Sequence, residues 1–391
     1  MKRPFAVIVG LGANGLWVAR SLGRNRVPVI SIVSGLGDLS AKTRYCNKIL
    51  CKDIKSIPLI DVLLNLAKNL KEKAVLFPTM DSNVKLISKY RDALSDHYHV
   101  MLPSHEITCQ LLNKETFADY TLKEGFAIPK TYVINTENDN TSVLEQINYP
   151  CVVKTIEKIY DEKISTSPKK IESKEDLFRH FDSLKKIVKK IVVQEWIEGP
   201  DSNVYFCLQY YSKEHKPLVS FVGRKLRQWK PVTGGTCFAE PIDNEFVLNE
   251  TTRFFERVRF QGLCSMEFKM DSHSGAFFMT EPTVGRTDYQ SGIAVANGVD
   301  IPYIAYLDSI NEKIPVTKKS RIKIKWIDFY NDVMSARYYI DKGSLTYAAW
   351  VKSLCCFLSP SILALDEPYI LFQWAANWFG KIFRKLRKLM S

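Results

Sequence analysis

The chain has 391 residues, 46% hydrophobic and 25% charged, with a formal net charge of +13. That length and apolar content exclude a disordered protein and leave room for two or three packed units. The cation excess suits phosphate-bearing ligands, nucleic acid or an anionic membrane surface. Nine cysteines offer no CxxC pair and no Cys/His cluster of zinc spacing. They are expected to be reduced, mostly buried thiols of a cytoplasmic protein, the adjacent Cys355 and Cys356 among them.

The charged start Met1-Lys2-Arg3-Pro4 is too short for a secretory leader. Apolar runs Phe5–Val9, Val29–Val33 and Val75–Phe77 read as buried strands. Helix patterns fall between and after them at Asn14–Gly23, Leu59–Leu70 and Asp81–Leu94. This alternation predicts a parallel sheet with helices on its faces over residues 1–103. Gly10-Leu-Gly12-Ala-Asn-Gly15 matches GxGxxG between the first strand and helix. A dinucleotide site also needs an acid at the end of the second strand, and the first acid after Val33 is Asp38, inside a loop. The glycines therefore read as a tight turn whose helix start could hold a substrate carboxylate, and a nicotinamide oxidoreductase is the weakest functional reading.

A second unit, residues 104–314, has an α+β pattern. A helix over 114–124 leads through the turn Ile128-Pro129 to strands at 131–134 and Pro150–Lys154. The polar stretch 159–176 reads as a loop, and strands dominate from 191 to about 281. Ile191–Gln194 is a buried strand that bends into Glu195-Trp196-Ile197-Glu198-Gly-Pro200-Asp201. Backbone beside an aromatic ring and a carboxylate suits an adenine and a ribose. Further on, Asp271–Gly275 is a turn between two apolar strands. A hairpin centred on Ser274 places Glu267 directly opposite Glu281, a like-charge pair that destabilises a sheet unless a cation sits between. Lys154, Arg224, Lys225 and Arg286 stand at or near strand ends, where they fit a triphosphate and its metal.

In this order the pieces resemble the ATP-grasp superfamily over about residues 5–310, with a likeness to carboxylate–amine ligases of the D-aspartate ligase type. The resemblance implies a Rossmann-like pre-ATP-grasp domain followed by an ATP-grasp domain, with ATP and Mg2+ as cofactors. It implies amide formation through an acyl phosphate, from a small-molecule or lipid-linked carboxylate and an amine. Lys114 and Lys154 match the two ATP-contacting lysines, Gln194, Glu195, Trp196 and Ile197 the adenine hinge, and Asp201 the ribose acid. Arg224 and Lys225 match the subgroup's basic strand, Glu267 and Glu281 the metal acids, and Arg286 the basic residue beyond them. Thr283 stands where the family has a metal-binding asparagine. The glycine-rich phosphate lid is missing, since Thr155–Lys163 holds no glycine, and Lys158 and Lys163 are its candidate substitutes. These departures keep open a second reading, an inactive nucleotide-binding scaffold at a membrane.

Residues 315–391 form a third region. Leu371, Trp374, Ala375, Trp378, Phe379, Ile382, Phe383, Leu386 and Leu389 recur at helical spacing. Lys381, Arg384, Lys385, Arg387 and Lys388 fall mostly on the other face, and no acid follows Tyr369. Residues 369–391 therefore read as a basic amphipathic helix on an anionic membrane surface, the alternative being a helix packed on the domain. No run of eighteen apolar residues suggests a membrane span, and no nucleic-acid-binding motif occurs. The protein is expected to be cytoplasmic and peripheral on the inner membrane face. There it would modify a lipid-linked sugar acid in surface-polysaccharide assembly.

Overall fold

The computed structural model describes residues 3–137, 146–156, 168–185, 187–318 and 320–376. The first sheet holds β1 (Ala6–Val9), β2 (Val29–Val33), β3 (Asn47–Leu50), β4 (Ala74–Pro78) and β5 (Tyr98–His99). All pairings are parallel, in the order β3-β2-β1-β4-β5. The central strands β1, β2 and β4 are buried along their whole length, as unbroken apolar runs covered on both faces should be. Gly10 turns the chain at φ +85° into the helix Gly12–Arg24, and a Cβ on Gly15 would stand 2.2 Å from the Gly10 carbonyl oxygen. The glycines thus serve the strand-to-helix turn. Asp38 caps the short helix Leu39–Lys42, its carboxylate accepting from Ser40 N at 2.7 Å.

The second sheet is antiparallel, with β6 (Thr131–Asn135), β7 (Cys151–Thr155), β8 (Lys169–Ile171) and β9 (Lys190–Glu195) in the order β6-β9-β7-β8. The helix Lys174–Leu184 packs Leu177, Phe181 and Leu184 against it.

The third sheet is the largest. It comprises β10 (Val204–Tyr211), β11 (Pro217–Trp229), β12 (Gly235–Pro241), β13 (Gly262–Met270), β14 (Phe277–Val284), β15 (Lys325–Ile327) and β16 (Leu358–Pro360). Its order is β14-β13-β10-β11-β12-β15-β16. Leu208, Tyr210 and Phe221 share a core with Val75, Phe77 and Ile293, so the first sheet's unit leans directly on the large sheet.

The stretch after 315, expected as a separate region, adds β15 and β16 to the large sheet. It is also tied back by two buried ion pairs. Arg20 Nε meets Glu367 Oε2 at 2.6 Å, and Arg227 Nε meets Asp332 Oδ1 at 2.6 Å. Six of the nine cysteines are buried, as expected of most of them, while Cys355 and Cys356 are exposed. They follow the helix Tyr347–Leu354, which has no buried residue, so their apolar sequence context carried no burial with it. Among the described residues no helix is long and apolar enough to cross a membrane. The tail residues 377–391, and with them most of the expected amphipathic helix, lie outside the described residues.

Candidate active site

A cleft of about 400 Å³ opens between the second sheet and the large sheet. Its upper wall comes from the end of β9, where Gln194, Glu195, Trp196 and Ile197 line it together. Glu195 N donates to Lys130 O at 2.8 Å and Trp196 N to Pro150 O at 3.3 Å, fixing the bend to two neighbouring segments. Trp196 Nε1 is buried and has no hydrogen-bond partner among the described residues. A buried donor left so calls for an acceptor from a ligand or solvent. Lys154 projects from β7 and donates to Gln194 Oε1 at 2.9 Å.

The floor is the β13–β14 hairpin, in which Glu267 pairs directly with Glu281 and Ser265 with Thr283. This is the register expected from a turn centred on Ser274. Both glutamates and Thr283 line the cleft. Lys225 Nζ lies 2.6 Å from Glu267 Oε2 and offsets part of the like-charge penalty. Burial pushes the Lys154 ammonium below its ordinary range, Glu281 and Glu267 pull it back, and Lys114 and Lys225 push it further down. Five charged groups therefore feel one another across one cavity. Two carboxylates and a threonine hydroxyl are hard oxygen donors that fit Mg2+, which is commonly held by one or two carboxylates plus phosphate oxygens. Among the described residues no group of three His, Cys, Asp or Glu side chains could hold a metal without such help.

The remaining expected residues divide. Lys114 opens the helix Lys114–Lys123, which Asn113 caps by accepting from Glu115 N and Thr116 N, and it lines the cleft. Arg286 lines it too, and its Nε donates to Asp81 Oδ1 of the first unit at 2.5 Å. Beside it Asn14 Nδ2 donates to Thr79 O and Thr287 O, both at 3.2 Å, so the glycine loop and the segment after β14 are sewn together. Arg224 is a correction. It points to the other face of β11 and pairs with Glu240 at 2.7 Å, because side chains alternate along a strand. Asp201 is another. It is buried away from the cleft, and its carboxylate accepts from Gln228 N at 2.9 Å, Gln228 Nε2 at 2.9 Å and Tyr339 OH at 2.7 Å. Lys158 and Lys163 lie outside the described residues.

Lys269 escaped the sequence reading. It lines the cleft and donates to Gly199 O at 2.7 Å and Pro200 O at 2.8 Å. Burial pushes its ammonium down to about 8 against the pull of Asp201 and Glu267. Its signal was in the strand period, since residue 269 stands two beyond Glu267 and so shares its face. Gln228, Asp288 and Gln290 also line the cleft and were not singled out.

An antiparallel sheet and a larger, mostly antiparallel one close on this cleft behind a parallel-sheet unit, which is the ATP-grasp fold. In sequence the chain is similar to D-aspartate ligase of Enterococcus faecium (strain Aus0004). The two are 22% identical over 329 residues, 78% of this chain and 77% of that protein. Among solved structures it is similar to the ADP complex of an N5-carboxyaminoimidazole ribonucleotide synthetase. That match has TM-score 0.63 and 12% identity, and covers 82% of this chain and 80% of that one. It is also similar to an L-amino acid ligase from Bacillus licheniformis, with TM-score 0.56 and 13% identity over 79% of this chain and 75% of that one. A third likeness is to the biotin carboxylase domain of Hydrogenobacter thermophilus 2-oxoglutarate carboxylase, solved with MgADP. Its TM-score is 0.64 with 11% identity, over 83% of this chain and 74% of that one. No family model matches the chain.

Proposed function

We propose that the protein is an ATP-dependent carboxylate–amine ligase that forms an amide through an acyl phosphate. The observation that carries this is the cross-strand pair Glu267 and Glu281, set in one cleft with Lys114, Lys154 and Lys225. Paired acids facing three ammonium groups match the alternating charges of a metal polyphosphate. Gln194 to Ile197 hold the base, and Lys269, beside the Gly199–Pro200 turn, takes the ribose end that Asp201 does not reach. Glu267, Glu281 and Thr283 would hold Mg2+, which would neutralise polyphosphate charge during phosphoryl transfer. Lys114, Lys154 and Lys225 hold phosphate oxygens. The γ-phosphoryl group passes to a carboxylate oxygen with ADP as leaving group. The amine then attacks the acyl carbon, phosphate leaves with the C–O bond electrons, and the amine proton is lost. Arg286, at the junction with the first unit, stabilises the negative charge of the acyl phosphate and its tetrahedral adduct.

The D-aspartate ligase likeness supports a carboxylate and an amine as the substrate classes. The acid-free, cation-rich sequence after Tyr369 supports attachment to an anionic membrane surface. A lipid-linked sugar acid as the carboxylate, within surface-polysaccharide assembly, follows from that location. The inactive-scaffold reading rests on Thr283 and the glycine-free stretch after Lys154. Trapping with hydroxylamine separates the two. With ATP, Mg2+ and a panel of amino acids and uronic acids, the ligase converts its carboxylate to a hydroxamate, and Glu281→Gln does not. A chain that binds Mg·ATP yet yields no hydroxamate from any carboxylate is a scaffold.

A further inference from the structure

Behind the cleft a chain of buried polar side chains leads out of the two sheets that form it. Lys225 Nζ touches Glu267 Oε2 at 2.6 Å and Gln228 Oε1 at 3.1 Å. Gln228 Nε2 donates to Asp201 Oδ1 at 2.9 Å, its backbone N donates to Asp201 Oδ2 at 2.9 Å, and Tyr339 OH donates to that same Oδ2 at 2.7 Å. Lys225, Gln228 and Asp201 are all buried. Tyr339 belongs to the helix Phe329–Asp341, which follows β15. That helix is clamped to β11 one residue before Gln228. Asp332 accepts from Arg227 Nε at 2.6 Å, from Arg227 Nη2 at 3.1 Å and from Trp350 Nε1 at 2.9 Å.

Two features give this chain a direction. The first is the pair of register shifts in β11 between Lys225 and Gln228. Regular alternation would put residues 225 and 228 on opposite faces. A bulge re-aims side chains, and here it lets Lys225 and Gln228 meet while Arg227 turns back to Asp332. The second is hydrogen-bond polarity. An ionised carboxylate only accepts, so Asp201 draws the NH2 of the Gln228 amide toward itself and turns the carbonyl toward Lys225. An ammonium only donates, so that carbonyl is the end it needs. Tyr339 supplies the remaining donor on Asp201 and keeps the buried charge satisfied.

We propose that Tyr339 is a positioning residue for the nucleotide site, acting through Asp201 and Gln228 on the ammonium of Lys225. The relay fixes the third approach direction of Lys225, after Glu267 and Gln228, toward the cleft where the phosphates lie. The helix Phe329–Asp341 thereby belongs to the nucleotide site although none of its residues lines the cleft. This inference rests on the nucleotide-site reading above for the role of Lys225.

A double-mutant cycle on Mg·ADP affinity, measured by calorimetry, tests it. Tyr339→Phe keeps the ring and removes the one hydroxyl, and its unliganded melting temperature controls for fold. In the wild-type background the relay predicts about a fivefold loss of Mg·ADP affinity. In a Lys225→Met background it predicts less than about a twofold further loss, because the group acted upon is gone. A structural role alone gives equal losses in both backgrounds, and that result overturns the proposal, as does undiminished affinity in Tyr339→Phe. Should Lys225→Met not fold, Gln228→Leu is the second background, since it cuts the same relay one step earlier. A wild-type chain that fails to bind Mg·ADP at all removes the nucleotide-site reading itself, and the relay with it.

Discussion

Lys269 shows how a single side chain reports its surroundings. Its ammonium sits between two carbonyl oxygens, and burial holds it down to about 8. The folded value lies below the ordinary lysine value of 10.5, so between the two the unfolded chain binds the extra proton. Stability of the wild type therefore rises with pH across that window, relative to a chain without the group. The melting temperature of the wild type minus that of Lys269→Met should increase from pH 8 to pH 10. A constant difference would contradict the assignment. At this scale the sequence was informative where a turn fixed the register. Asp271–Gly275 set the hairpin, and Glu267 against Glu281 followed. Lys225 and Arg224 were not separable in the same way, because two adjacent cations on a strand announce a basic strand and not which one faces the cleft. The bulge that brings Gln228 beside Lys225 leaves no mark in the residue pattern. Asp201 has the right spacing after the hinge, yet Tyr339, 138 positions later, holds it elsewhere.

Among the elements, the parallel strands were legible because burial on both faces demands unbroken apolar runs. The short strands β15 and β16 were not, since three residues carry no period and their pairing is decided by the open edge of β12. Glu367 is the buried charge among the contacts that hold the stretch after β16 to the first unit. Glu367 accepts from Arg20 Nε at 2.6 Å, from Arg44 N at 3.1 Å and from the Thr43 hydroxyl. The Arg20 and Glu367 side chains are 0% and 2% exposed. Removing one partner strands the other charge in the interior, at a cost of about 3–5 kcal/mol. Glu367→Ala should lose that much in urea unfolding, and Arg20→Met with Glu367→Leu should recover most of it. A loss below about 1 kcal/mol in the single variant would mean that the arginine finds other company.

For the molecule as a whole, the net charge of +13 was uninformative until it could be divided between the cleft and the chain end. Lys381, Arg384, Lys385, Arg387 and Lys388 lie in the final stretch, and each adds about 1 kcal/mol of attraction near an anionic leaflet. Just before it Tyr369 and Phe372 are exposed, while Ile370 is fully buried. A cut at 369 would therefore damage the core, so the informative cut falls after residue 376. At low salt the full chain should sediment with vesicles containing phosphatidylserine. The chain ending at 376 should stay in the supernatant with unchanged Mg·ADP affinity. Sedimentation of both, or of neither, would move the membrane contact elsewhere or remove it.

The reaction proposed for the cleft couples ATP cleavage to the joining of a carboxylate and an amine. ADP release by the full chain with Mg·ATP, screened over paired amino acids, amines and uronic acids, measures that coupling directly. Sustained release should require one carboxylate and one amine together. Omission of either should lower it by at least about tenfold, a difference of about 1.4 kcal/mol in barrier. Glu281→Gln should abolish it. ADP release that is indifferent to both acceptors, or that survives Glu281→Gln at the wild-type rate, would contradict the account.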